Sequence, residues 1–208
     1  MKKRAIYVAL ASFAVISLAA EEVGITKDIP TVTIEANGKS YTIEREKRPD
    51  AYLTNTFALT SRPSPPFFVQ PFKVSDKVET YGELELLDFI KHKKGLFIDA
   101  RLPNWYEKSA IPGAVNIPFK IFLKDSPERD KVLKRLGVTY DRKGHYDFSG
   151  AKTILLYCNG AWCGQSPTAI RALMKLGYPE EKMKYYRGGM QAWQLLGLTT
   201  IVPGKDEK

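Results

Sequence analysis

The sequence predicts an α/β fold with a central, mostly parallel β-sheet. Three observations point that way. From residue 80 onward, short apolar runs alternate with stretches of helical periodicity. The clearest run, residues 153–157, is continuously apolar rather than alternating, as expected of a strand covered on both faces. Two Ser-Pro pairs, Ser126-Pro127 and Ser166-Pro167, announce helices, with serine as N-cap and proline at the first helical position.

The elements follow in order. Residues 31–44 alternate apolar and polar side chains around Asn37-Gly38, which predicts a β-hairpin. Between Arg62 and Pro71 four prolines forbid regular structure. Thr80 and Glu83 have capping-box spacing, and Leu84, Leu86, Leu87 and Ile90 continue at helical spacing. Residues 95–100 read as a buried strand and residues 114–117 as a short second one. The helix opened by Ser126 ends at Leu136-Gly137. After the central strand at 153–157, the helix opened by Ser166 presents Ala169, Ala172, Leu173 and Leu176 on one face and closes at Gly177. Residues 183–186 read as a strand, Gly188-Gly189 as a turn, and residues 190–196 as a last short helix ending at Gly197.

At 208 residues the chain suits one domain with additions, or two small ones, and its 44% hydrophobic content allows a real core. Lys2, Lys3 and Arg4 precede an apolar run over residues 5–20 that ends in Ala19-Ala20, just before Glu21-Glu22. A basic start, an apolar centre and a small-residue end predict a secretory signal peptide over residues 1–19, with an uncleaved anchor as the alternative. The run is short for a membrane span, so no stable span is expected after processing. Cleavage after Ala19 would lower the formal net charge of +9 by three, to +6. The expected location is periplasmic or secreted. The remaining charge forms no Arg/Lys stripe interleaved with aromatics, which argues against a nucleic-acid partner. Two cysteines make no disulfide scaffold, although an oxidising compartment lets two nearby thiols pair.

Both cysteines lie in one segment, Cys158-Asn159-Gly160-Ala161-Trp162-Cys163-Gly164-Gln165-Ser166. Cys158 follows the central strand, and ligands of α/β sheets bind beyond the carboxyl ends of strands. The helix beginning at Ser166 directs partial positive charge and free amides at this point, conditions that favour a thiolate. Gly160 and Gly164 are expected to let the backbone bend so that amides converge on an anion. The competing reading is an inert cysteine that merely ends a core strand.

The chain from about Thr80 to Leu198 resembles a rhodanese-like domain of an exported bacterial type. The resemblance is carried, in the family's order, by Phe97-Ile98-Asp99-Ala100-Arg101, Tyr106-Glu107, Ile111-Pro112-Gly113-Ala114 with Asn116-Ile117-Pro118, Leu156-Tyr157-Cys158, Leu176-Gly177-Tyr178, and Arg187-Gly188-Gly189-Met190-Gln191-Ala192-Trp193. It implies a three-layer sandwich over residues 77–201, preceded by a hairpin-containing N-terminal extension over 20–76 and followed by a tail over 202–208. It also implies sulfur transfer. The Cys158 thiolate would take sulfur from a sulfane donor (thiosulfate, polysulfide or a persulfide), hold it as a persulfide, and pass it to a thiol or cyanide acceptor or an acceptor protein. Residues 159–166 would bind the substrate, and Asp99, Arg101 and Glu107 would be structural supports near the site. No cofactor or metal is implied.

The loop departs from the family pattern, which usually reads Cys-x-x-Gly-x-Arg. Here Gly160 falls one place early, Cys163 stands where the arginine would be, Gly164-Gln165 lengthen the loop, and the loop carries no charge. Arg171 lies inside the helix and is not a substitute by motif. Three roles are open to Cys163: resolving thiol for a disulfide with Cys158, sulfur carrier in its own right, or passive neighbour. Trp162 is expected to shield the site or to meet an acceptor protein. A cysteine phosphatase would need the missing arginine. A zinc site finds no ligand spacing in His92 and His145. A phosphate-binding loop would need its Lys-Ser/Thr pair. The competing function is a non-catalytic or thiol-redox rhodanese-like module that binds a partner protein.

Overall fold

A computed structural model describes residues 23–205. The expected signal peptide lies outside the described residues. Strands β1 (Val32–Ala36) and β2 (Lys39–Ile43) form the antiparallel hairpin. Its turn holds Asn37 at φ 51° and Gly38 at φ 76°, the left-handed pair that a two-residue turn between twisted strands requires.

The main sheet comprises β3 (Glu79–Tyr81), β4 (Leu96–Asp99), β5 (Val115–Asn116), β8 (Ile154–Tyr157) and β9 (Met183–Tyr186). Its order is β3-β9-β8-β4-β5, with every pairing parallel. A small ribbon, β6 (Thr139–Tyr140) with β7 (Tyr146–Asp147), stands apart from it. The helices are α1 (Glu83–Lys91), α2 (Pro103–Tyr106), α3 (Pro127–Arg135), α4 (Gln165–Leu176) and α5 (Gly189–Leu195).

Side chains alternate across the sheet and divide the core in two. Phe97, Leu155, Tyr157 and Tyr186 face α1, α5 and the hairpin, meeting Leu86, Phe89, Trp193, Ile34 and Ile43. Ile98, Leu156, Met183 and Tyr185 face α3 and α4, meeting Leu133, Ala169, Ile170 and Leu173. The three-layer α/β sandwich predicted from the sequence is therefore present. The hairpin of the N-terminal region is built into one of its layers, tied at Glu44 and Arg45 to the segment after α5: the Thr199 amide donates to the Glu44 carbonyl at 3.1 Å, and Arg45 bridges Leu198.

Four local expectations are corrected. Thr80 does not cap α1, because it pairs with Tyr185 inside β3; Gly82 is the N-cap, and Glu85 returns to its amide at 3.0 Å. Sheet pairing outweighs the local cap signal here. Ser166 is not the N-cap of α4: that helix begins at Gln165 behind Gly164, so Gln165 belongs to the helix rather than to a lengthened loop. Gly188-Gly189 is the start of α5 rather than a free turn. Neither Gly160 nor Gly164 has a positive φ, so the bend of the loop does not rest on their conformational freedom. Ser126 does cap α3, accepting from the Arg129 amide at 3.2 Å.

Candidate functional site

β8 is the middle strand of five, flanked in parallel by β4 and β9, so its carboxyl end opens at the middle of the sheet edge where α4 and α5 both begin. Cys158 is the first residue past that strand, and it is buried, with 1% of its surface exposed. The loop turns at once: the Cys163 amide donates to the Gly160 carbonyl at 2.9 Å, and the Thr168 amide to the Gly164 carbonyl at 3.0 Å, starting α4.

Two carbonyls at the start of the loop are held by α5. The Met190 amide donates to the Cys158 carbonyl at 3.0 Å and the Gln191 amide to the Asn159 carbonyl at 2.9 Å. This approach demands glycine at 189, where φ is +57° and an added Cβ would stand 2.4 Å from the Cys158 carbonyl oxygen. Gly160 is constrained by space as well, since a Cβ there would meet the Trp162 indole nitrogen at 3.0 Å and Gln191 Cβ at 3.2 Å. With those two carbonyls engaged by α5, the Gly160 and Ser166 amides face the thiol, which also meets the Cys163 carbonyl.

Burial pushes the Cys158 thiol up, but hydrogen bonds from the Cys163 side chain, the Ser166 amide and hydroxyl, and the Gly160 amide outweigh it and bring the thiol down to about 7. The hydrogen bonds thus favour the thiolate, the reactive form of the sulfur. The Ser166 hydroxyl is buried without an oxygen or nitrogen partner, which leaves it to the sulfur. Cys163 is pushed strongly upward, first by donating its own hydrogen bond to Cys158 and then by burial and the Cys158 charge. These hydrogen bonds favour the thiolate at Cys158 and the protonated form at Cys163. Both thiols are free, and the Cys158 sulfur lies 3.4 Å from the Cys163 carbonyl oxygen. In this charge-free loop, Cys163 supplies a hydrogen bond where the family pattern has an arginine.

The other expected residues take distinct places. Asn159 is buried with its side-chain oxygen unbonded, Ala161 is half-buried at the turn, and Gln165 opens α4 with its side-chain oxygen buried and unbonded. Trp162 is half-buried and donates its indole N–H to Gln191 Oε1 at 2.9 Å. Asp99 and Arg101 form a buried ion pair with Nη2–Oδ2 2.6 Å, and the Tyr157 hydroxyl also donates to Asp99 at 2.6 Å. The pair sits under the residue next to Cys158 and supports it indirectly. Glu107 is exposed at the end of α2 and takes no part in that pair or in the sulfur site. Sequence reasoning missed Gly189 as a packing requirement, named Tyr157 and Gln191 only as parts of the resemblance, and gave Arg62 no place near the site. For Gly189 the doubled glycine before a helix was the available signal; for Arg62 there was none. Among the described residues no group of three or more His, Cys, Asp or Glu side chains is placed to hold a metal ion. Nor is any described helix long and apolar enough to cross a membrane.

The Rhodanese-like domain family model matches residues 84–196, more than half of the chain. The chain belongs to the rhodanese-like domain family. Its similarity to an HTH-type transcriptional regulator of Mycobacterium tuberculosis is 30% identity over 117 residues, 56% of this chain and 37% of that protein. This rhodanese-like chain thus spans little more than a third of the length of the curated relative it matches. Among solved structures, a Bacillus halodurans protein is 26% identical, with 57% of this chain and 72% of that chain covered and a TM-score of 0.40. A rhodanese with anions from E. coli is 22% identical, with 51% and 95% covered and a TM-score of 0.33. A human single-domain sulfurtransferase is 18% identical, with 58% and 96% covered and a TM-score of 0.40.

Proposed function

We propose that this rhodanese-like protein carries sulfane sulfur on Cys158. The observation that supports it most is the setting of that sulfur: a buried thiol at the end of the central strand, faced by the Gly160 and Ser166 amides, the Ser166 hydroxyl and the Cys163 thiol, with no carboxylate among the groups acting on it. Such a cradle stabilises a thiolate, and it stabilises equally the anion of a persulfide. In the loading step the Cys158 thiolate attacks the outer sulfur of thiosulfate. The new S–S bond forms as the sulfur–sulfur bond of the donor breaks, and sulfite leaves with the electron pair. In the second step an acceptor thiolate or cyanide attacks the terminal sulfur and becomes a persulfide or thiocyanate. Cys158 returns as thiolate, with no net oxidation of the protein.

The test is intact-protein mass spectrometry after incubation with thiosulfate or polysulfide, looking for one added sulfur. Cys158→Ser should take up none. Cys163→Ala should still load, with the pH midpoint of loading moved upward from about 7, because a hydrogen bond that lowers the Cys158 thiol is removed. Loss of loading in Cys163→Ala with retention in Cys158→Ser would assign the carrier to Cys163 instead.

The shared hydrogen bond between two free thiols supports a second reading, a thiol-redox module in which oxidation joins Cys158 to Cys163 and a partner protein responds. Insensitivity of sulfur loading to prior oxidation would remove it. The start of the chain further supports export to the periplasm or beyond: protein recovered from its native host should begin near Ala20 or Glu21. Recovery of cytoplasmic protein still starting at Met1 would overturn that assignment.

A further inference from the structure

A segment of the N-terminal extension covers the sulfur loop. Residues 62–72 adopt neither helix nor strand and include Pro63, Pro65, Pro66 and Pro71. The Arg62 guanidinium lies 4.2 Å above the Trp162 ring, and Pro65 comes within 3.6 Å of where a side chain on Gly164 would begin. Phe67 and Phe72 stack at 4.0 Å, and Phe72 meets Tyr185 edge-on at 6.5 Å.

Arg187 ties this segment down. Its Nη2 donates to the carbonyls of Phe67, Phe68 and Gln70 at 3.1, 3.0 and 2.9 Å, and its guanidinium lies 5.8 Å from the Phe72 ring centre. Three carbonyls crowd one nitrogen that carries two hydrogens, while the Arg187 Nε is buried with no acceptor. No carboxylate pairs with Arg187 among the described residues. A partly buried guanidinium met by neutral carbonyls and an aromatic ring, with no counter-charge, is an incompletely satisfied cation.

The position of Arg187 is as telling as its partners. β8 and β9 run in register to Tyr157 and Tyr186, and the next residue on each strand is Cys158 and Arg187. The Tyr185 hydroxyl, buried and unbonded, feels the charges of Cys158 and Cys163 as well as those of Arg187 and Arg171. Thiol, free hydroxyl and under-satisfied guanidinium therefore share one neighbourhood, and the segment 62–72 lies over it.

We propose that Arg187 is the specificity-determining cation for an anionic sulfane-sulfur donor, and that residues 62–72 are a strap holding its place until that donor arrives. The inference rests on Cys158 as sulfur carrier and names the charge that selects its donor. A donor anion is a stronger acceptor than peptide carbonyls. It displaces them from Nη2, takes the vacant Nε hydrogen, and frees the strap as it enters. The charge absent from the loop is supplied from the neighbouring strand.

Alkylation of Cys158 in the full chain, mapped by peptide mass spectrometry, tests this without requiring sulfur transfer. Neutral iodoacetamide reads access, and the ratio of iodoacetate to iodoacetamide rates reads charge. Arg187→Gln should speed iodoacetamide and cut the ratio roughly tenfold, the size of one partly shielded charge contact. Arg187→Lys should keep the ratio near that of the parent protein, which separates charge from general loosening. Phe72→Ala should speed both reagents alike. An unchanged ratio in Arg187→Gln would overturn the cation, and unchanged rates in Phe72→Ala would overturn the strap. Alkylation as described, but with no sulfur loaded from thiosulfate or polysulfide, would instead overturn the carrier reading and with it the donor assigned to Arg187.

Discussion

Gly189→Ala is expected to destabilise the protein by roughly 2–5 kcal/mol and to disorganise the sulfur site. Two effects add. The backbone at 189 sits at φ +57°, where a residue with a Cβ costs about 1–2 kcal/mol. The Cβ would also stand 2.4 Å from the Cys158 carbonyl oxygen and 2.6 Å from the Gly160 nitrogen, neither of which can move as a flexible side chain would. Overpacking of this kind costs about 1–3 kcal/mol. Relief requires that α5 withdraw from the loop, breaking the bonds from the Met190 and Gln191 amides that hold the Cys158 and Asn159 carbonyls. Urea denaturation should show a lower midpoint, and the Cys158 alkylation midpoint should rise above about 7 as the cradle loosens. An alanine variant with parental stability and an unmoved midpoint would show that α5 can start elsewhere at no cost.

Asp99→Ala is expected to cost about 3–5 kcal/mol, because it leaves the Arg101 guanidinium buried without its counter-charge. Asp99 accepts from the Arg101 amide at 3.0 Å, from Nε at 2.9 Å, from Nη2 at 2.6 Å and from the Tyr157 hydroxyl at 2.6 Å. The Tyr157 oxygen in turn accepts from the Ile111 amide at 3.2 Å, and Arg101 donates to the Ser109 carbonyl at 2.6 Å. One carboxylate thus joins β4, β8 and the segment at 109–111. The double variant Asp99→Leu with Arg101→Met should recover much of the loss, since it removes both charges and fills their space with apolar atoms. Chemical denaturation of the two singles and the double gives the coupling directly. A double variant no more stable than Asp99→Ala would show that the network, rather than the charge balance, supports this corner.

The resemblance implied Asp99 and Arg101 as supports near the site, and in the structure Tyr157 bonds to their pair and immediately precedes Cys158. Glu107, drawn from the same resemblance, has no such link. Its neighbours in sequence match a pattern, but its side chain points to solvent at the end of a short helix.

What the sequence determined by itself was whatever depends on contacts close along the chain. Hydrophobic period, Asn37-Gly38 and the cap at Ser126 act within a few residues, so the hairpin, the central strand and most helix positions were legible. So was the placement of Cys158 just past the central strand, because a strand followed by a helix brings a thiol and free amides together locally. What only the tertiary structure decided depends on residues far apart in sequence. Thr80 became a strand residue because β9, about a hundred residues later, offered it a partner. Gly189 mattered because α5 docks on the Cys158 loop. Cys163 came to face Cys158 through the turn that closes between Gly160 and Cys163. Arg187, the residue after β9, met the carbonyls of Phe67, Phe68 and Gln70 only because that distant segment folds over the loop. Loop closure over such separations is governed by packing and by the entropy of bringing distant segments together, and no local pattern records which segments will meet.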